Sequence, residues 1–271
     1  MTFEILVATM GQSDFSKINE MNIRSNVLFA NQADETSYKE QEFNGKCARM
    51  ITTTTRGVGV NRNLLLLYSQ GDILLMADDD MVYDDQLEEN VIKAFKDFPN
   101  ADVIAFGSYF LKDGKIISSI KNSNSKLPIY KAMKYGTCLL AFRRSSVIKS
   151  NMTFTTLFGG GTLYGHGEDS DFILQCYRNR LKVYKYDYML ATIATDVSTW
   201  FTGYGEKYFY DAGAFAKHSF GFFAKPYMLY IATRLNGRTQ MPFYERWRIL
   251  NEGYKNLAKL IPYSEWKNEQ V

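Results

Sequence analysis

Three carboxylates in a row, Asp78, Asp79 and Asp80, close the run Gly71-Asp72-Ile73-Leu74-Leu75-Met76-Ala77. Adjacent carboxylates repel one another, and partial burial sharpens the penalty. A divalent cation relieves it, and hard oxygen donors select Mg²⁺ or Mn²⁺ over zinc. The plain alternative is a solvated acidic turn before a helix, with an Asp as its cap. A second acidic group follows in Gly165-His166-Gly167-Glu168-Asp169-Ser170-Asp171-Phe172. A carboxylate there can act as a general base on a hydroxyl, although acids also gather at helix starts merely to complement the dipole. Arg62, in Gly57-Val58-Gly59-Val60-Asn61-Arg62-Asn63, supplies a guanidinium suited to a phosphate or a base.

The surrounding elements give these residues positions. Ile73 to Ala77 has the length and apolar character of a buried parallel strand, whose C-terminal end is where open α/β sheets bind ligands. Phe3 to Thr9 and Asn26 to Ala30 read as further strands, and Ala48 to Thr55 as an extended, threonine-rich segment. Ile18 to Arg24, Asn61 to Ser69 and Asp84 to Phe98 carry helical patterns. Beyond residue 100 the pattern changes. Asp113-Gly114 predicts a hairpin between Asp102–Leu111 and Lys115–Ile120. Gly136 to Phe142, Lys182 to Tyr186 and Met189 to Ala194 follow as strands, with helices at Arg143 to Ser150 and Ser170 to Arg178. Tyr208 to Phe223, Tyr227 to Leu235 and Phe243 to Leu260 look helical.

The ordered set Gly57 to Asn63, Asp78 to Asp80 and Glu168-Asp169 resembles the inverting family 2 glycosyltransferases of GT-A fold, over roughly residues 3 to 195. The resemblance implies an α/β architecture: a GT-A-like three-layer α/β/α arrangement with a mainly parallel central sheet, plus a helical C-terminal segment. It implies a nucleotide half at about 1–100, an acceptor half at about 101–223 and a helical extension at 224–271. The activity implied is metal-dependent, hexosyltransferase-type transfer, with inversion, from a nucleotide-sugar, UDP-linked, to a saccharide or lipid-linked saccharide acceptor. Bacterial cell-surface polysaccharide synthesis is its usual setting. Asp169 matches the family base, with Glu168 beside it. Asp80 and Asp78 are the expected ligands of Mn²⁺ or Mg²⁺, and a late histidine makes His218 a further candidate. Thr9, Arg62, Asp78 and Asp79 would face the nucleotide. Where the family carries acids for uracil, this chain reads Asn31-Gln32-Ala33-Asp34, and Asn31 and Gln32 offer both donor and acceptor to a base edge. Asn63 is expected to hold a turn, His166 to line the acceptor pocket, and Trp200 either to stack on a sugar or to pack in the core.

Composition sets the outer bounds. With 271 residues, 46% hydrophobic and 15% aromatic, the chain can bury a large core. A net charge of +3 gives no footprint for nucleic acid. Residues 224–271 hold eight basic against four acidic side chains, compatible with peripheral contact at an anionic membrane, with an acidic acceptor or with a solvated helix face. Cys47, Cys138 and Cys176 lack metal spacing and fit a reducing compartment. With no leader visible at Met1 to Thr9, the expected location is the cytoplasm. A sugar-phosphate nucleotidylyltransferase is the enzymatic alternative, but it would carry a cation just after the first strand, where Met10-Gly11-Gln12-Ser13 has none. A passive carbohydrate- or metal-binding module would need neither Arg62 nor Asp169.

Overall fold

The computed structural model describes residues 1–195 and 203–269, so Trp200 lies outside the described residues. Two compact units emerge: one from 1–56, 60–154 and the described part of 172–198, the other from 57–59, 155–171 and the described part of 199–271.

In chain order the first elements are β1 (Phe3–Met10), α1 (Lys17–Glu20), β2 (Asn26–Gln32), β3 (Ser37–Phe43), β4 (Lys46–Thr53), α2 (Val58–Tyr68), β5 (Ile73–Asp78), β6 (Met81–Tyr83) and α3 (Leu87–Asp97). Then come β7 (Val103–Lys112), β8 (Lys115–Ile120), β9 (Ser125–Lys126), α4 (Ile129–Ala132), β10 (Leu140–Arg143), α5 (Arg144–Lys149), α6 (Glu168–Arg178) and β11 (Val183–Ala194). The C-terminal helices are α7 (Glu206–Phe220), α8 (Ala224–Arg234), α9 (Phe243–Asn256) and α10 (Tyr263–Asn268).

The first unit is one sheet ordered β3-β4-β2-β1-β5-β10-β7-β11-β6, with β8 on β7 and β9 on β11. Its β4-β2-β1-β5 half is parallel. Ile5, Leu6, Val7, Val27, Leu28, Phe29, Leu74, Leu75 and Met76 are buried there, as continuous apolar strands covered on both faces should be. From β10 onward the sheet is mixed, since β10 runs antiparallel to both β5 and β7 while β11 runs parallel to β7. This is the expected passage from a parallel half to a mixed one. α3 buries Leu87, Val91, Ala94 and Phe95, the stripe its sequence spacing gives.

Some differences have local causes. The expected strands before and after Asp187 are one strand, β11, with register shifts between Lys185 and Ala191. Helix α1 is only one turn long. β3 falls outside the expected strands, yet its signal is Asn44-Gly45, with φ of 48° and 73°, a two-residue hairpin turn like Asp113-Gly114 at 49° and 71°.

In the second unit α7 and α9 meet through glycines. A Cβ on Gly213 would stand 1.9 Å from the Leu250 carbonyl oxygen, and one on Gly253 1.8 Å from that of Tyr210. The expected boundary at 223/224 therefore cuts through a packed helix pair. The C-terminal helices belong with α7, and no separate extension begins at 224.

Candidate active site

The register of the parallel strands assembles the strand-end cluster of the first unit. Ala8 pairs with Asp78, Thr9 with Asn31 and Met10 with Gln32, so the carboxyl ends of β2, β1 and β5 stop at one level. The acidic turn Asp78 to Asp80 leaves β5 at that edge, each residue partly buried.

Each carboxylate meets different company. Arg62, only 3% exposed, donates from Nη2 to Asp78 Oδ1 at 2.9 Å. Its guanidinium also lies 5.4 Å from the centre of the Phe154 ring. The residue expected to face the nucleotide is thus a buried clamp on Asp78, whose carboxylate stays partly open. The Thr9 hydroxyl donates to Asp79 Oδ2, so Thr9 too acts on the acidic turn. Lys17 Nζ reaches the Asp79 carbonyl at 3.3 Å. Sequence reasoning missed this lysine, for nothing in the one-turn helix marks it. Burial, and then the charges of Asp78 and Asp79, push the Asp80 carboxyl up to about 6.

Asn31 departs from expectation. Its Oδ1 accepts the Gln12 N–H at 2.9 Å, while its Nδ2 donates to the Gln12 carbonyl at 2.8 Å and to Thr52 Oγ1 at 3.1 Å. Fully buried, it pins the loop after β1, and the base-edge contacts proposed for it are already spent on the protein. Asp34 is exposed and accepts from Arg56 Nη2 at 2.5 Å, while Arg56 Nη1 donates to the carbonyls of Ala33 and Thr54. Gln32 continues β2 at the same edge, its carbonyl accepting the Gly11 N–H. Asn63 holds Phe154 through two hydrogen bonds, at 2.9 and 2.7 Å, as expected of a turn-holding residue. Sequence reasoning passed over its neighbour Asn61. Buried, it donates to the carbonyls of Thr9 and Ala30, tying the ends of β1 and β2 together.

The second unit carries the later acids. Glu168, Asp169 and Asp171 open α6, and the Asp171 N–H donates to the Gly167 carbonyl at 2.8 Å. A Cβ on Gly159 would come within 2.8 Å of Glu168 Oε2, so this carboxylate packs against the loop that carries Gly159-Gly160-Gly161. Asp171, 3% exposed, accepts from Ser219 Oγ at 2.9 Å and lies 3.7 Å from His218 Nε2. His218 also packs its ring 5.0 Å from Phe158. Both contacts match a packed histidine. His166 stacks on Tyr208 at 4.6 Å, and burial with the Lys207 charge holds its imidazole down to about 4. Lys207 pairs with buried Asp211, which also accepts the Gly165 N–H at 2.8 Å.

Among the described residues no three His, Cys, Asp or Glu side chains gather to hold a metal by themselves. Asp78 and Asp80 nevertheless suit a hard cation that takes its remaining oxygens from a substrate diphosphate and water, the usual manner for Mg²⁺.

Residues 27–150 match the family model described as Glycosyl transferase family 2. Over that span the chain is similar to glycosyl transferase family 2. The match takes in Asn31, Arg62 and the Asp78 to Asp80 turn and stops before Glu168. No curated protein matches the chain in sequence. Among solved structures, S. aureus TarS 1-349 in complex with UDP-GlcNAc is similar at a TM-score of 0.59 and 13% identity, covering 100% of this chain and 76% of that one. TarS 1-349 with UDP gives 0.58 and 13%, covering 100% and 75%, and TarS 1-349 alone gives 0.58 and 12%, covering 95% and 71%. At such identity the likeness establishes the fold, a GT-A-like α/β architecture. No helix among the described residues is long and apolar enough to cross a membrane.

Proposed function

We propose that this protein is an inverting glycosyltransferase that moves a sugar from a UDP-linked donor to a hydroxyl of a saccharide acceptor in cell-surface polysaccharide synthesis. The observation that carries the reading is the alignment of Thr9, Asn31 and Asp78 at the ends of three neighbouring parallel strands, with the acidic turn and its Arg62 clamp beyond, inside the family-matched segment. The TarS complexes with UDP-GlcNAc and UDP favour a uridine nucleotide as donor carrier.

Asp78 and Asp80 would hold Mn²⁺ or Mg²⁺, which supplies Lewis-acid stabilisation of the departing diphosphate when bound. Arg62 orients Asp78 through its hydrogen bond. Thr9 and Lys17 hold the Asp79 end of the turn, and Asn31 fixes the loop after β1 through Gln12. Gln32 and Asp34 are the side chains assigned to the base. Asp169 takes the proton from the acceptor hydroxyl as it attacks the anomeric carbon, while Glu168 steadies the loop through Gly159. A single displacement of this kind inverts the donor's configuration.

A screen of nucleotide-sugars for Mn²⁺-dependent release of free nucleotide, with the product anomer read by NMR, tests the reading. Release of UDP with inversion supports it. Pyrophosphate formation from a sugar phosphate and a nucleoside triphosphate would point to a nucleotidylyltransferase instead. Saccharide binding with no turnover of any donor would leave a passive module.

A further inference from the structure

Helix α8 is apolar on both sides. It turns Ala224, Met228, Ile231 and Ala232 inward, which satisfies its packing within the second unit. Its other side carries Leu229 and Tyr230, both about half exposed, and the 3₁₀ turn leading into it ends in Phe222 and Phe223, at 94% and 65% exposed. Residues three and four apart neighbour each other on a helix, so the exposed Pro226, Leu229 and Tyr230 share one outward side of α8, with Phe222 and Phe223 exposed at its N-terminal end. Large apolar side chains grouped in this way signal an interaction surface, unlike the scattered single residues common on any protein.

Charge identifies the partner. Between Asp211 and Glu245 the sequence contains no acidic residue, but it contains Lys217, Lys225, Arg234 and Arg238. The Arg234 guanidinium lies 5.6 Å from the centre of the Tyr230 ring, placing a cation on that side itself. A projecting aromatic pair backed by cations and free of acids matches an interfacial membrane contact: apolar side chains enter the acyl boundary while the cations meet anionic headgroups. A second copy of the chain would set two basic stripes against each other.

We propose that the Phe222–Arg234 ridge docks this protein onto an anionic lipid surface. The docking does not depend on the transfer reaction, so its test needs no substrate. Full-length chain is mixed with sucrose-loaded phosphatidylcholine vesicles, with or without phosphatidylglycerol, and sedimented. Binding is expected only with the anionic lipid and should weaken as salt is raised. Phe222→Ser with Phe223→Ser should lower the partition coefficient at least tenfold without changing the melting temperature, because both rings already face solvent. Arg234→Gln with Arg238→Gln should lower it tenfold or more and flatten the salt dependence, since each cation near such a surface contributes about fivefold. Phe222→Trp keeps an aromatic at the tip, and its added emission should shift to the blue on anionic vesicles. Absent binding, equal binding to both vesicle types, an unshifted emission from the Phe222→Trp variant, or a Phe pair whose loss abolishes only self-association would each overturn the proposal.

Discussion

The strand-end acids Asp78, Asp79 and Asp80 and the helix-start acids Glu168, Asp169 and Asp171 are similarly crowded, yet they sit in opposite electrostatic settings. At the start of α6 the unsatisfied N–H groups and the macrodipole favour negative charge, and Asp171 is further held by the Ser219 hydroxyl. At the end of β5 no such field exists. Arg62 answers Asp78 and Thr9 answers Asp79, while Asp80 is left at about 6 under burial and its neighbours' charge. The same residue type is stabilised by the fold in one place and left under burial and mutual repulsion in the other. Acid clusters are thus told apart by their backbone setting, and sequence spacing alone does not separate them.

The largest effect should come from breaking the strand-end cluster. Asp80→Asn is expected to cut nucleotide release by about 10³-fold or more, as loss of a metal's several kcal/mol would. It should leave the melting temperature equal or higher, because it removes a repelled carboxylate. Chelation with EDTA should mimic the kinetic loss, and Mn²⁺ should restore it. Activity that survives both treatments would end the metal assignment.

At the helix start the two effects should separate by residue. Asp169→Asn is expected to lower kcat by about 10²–10⁴-fold with donor KM little changed, the usual cost of a lost general base. Asp171→Asn should act on stability instead, by about 1–3 kcal/mol, because Ser219 and His218 lose a charged, buried partner. Urea unfolding and steady-state kinetics on the same pair of variants read both outcomes. If Asp171→Asn proves the catalytic loss and Asp169→Asn the structural one, the roles must be exchanged.

The comparison also shows what a sequence can reveal. The strands of the parallel half, both Gly-containing hairpin turns and the helix after each acid group are written in short-range patterns. Asn63 as a turn-holder follows from its amide alone. The partners of these side chains are not written locally. The Asn31 amide suits a nucleotide base, but a backbone segment 19 residues away presents the same donor and acceptor, and it claims the side chain. Arg62 on α2 reaches Asp78 at the end of β5, a pairing that the tertiary fold sets. Asn61, Lys17 and the α7–α9 contact at Gly213 and Gly253 escape a sequence reading for the same reason. The boundary at 223 fails because three successive helical patterns do not say which helices pack against which.

That helix contact gives the next effect in size. At 1.8 to 1.9 Å from opposing carbonyl oxygens, a methyl group at either position cannot be absorbed by a side-chain rotation. Gly213→Ala or Gly253→Ala should cost about 3 kcal/mol or more by forcing α7 and α9 apart, beyond the usual range for overpacking. Truncation before Tyr227 should likewise unravel α7, since α9 goes with the cut. A truncated chain with an unchanged melting temperature would restore the view of residues 224–271 as an appendage.

The last expected effect is a pH dependence seated at His166. Its imidazole is held down to about 4 from an ordinary 6.5, first by burial and then by the Lys207 charge, while its ring stacks on Tyr208. A depressed histidine stays neutral in the folded state while the unfolded chain takes up the proton. Stability is therefore fully present above pH 6.5, falls as the pH drops below it, and loses its last part near pH 4. The whole span is worth up to about 3 kcal/mol. Asp211, held by Lys207 and the Gly165 N–H, has its carboxyl raised by burial, so the folded state takes up its proton first and the sign is opposite. Subtraction removes that contribution. His166→Phe keeps the aromatic stack and removes the titration, so the difference in unfolding free energy between wild type and variant isolates the histidine. That difference should shift against wild type between pH 6.5 and 4 and be flat above about 7. A flat difference across the whole range would show that His166 titrates alike in the folded and unfolded chain.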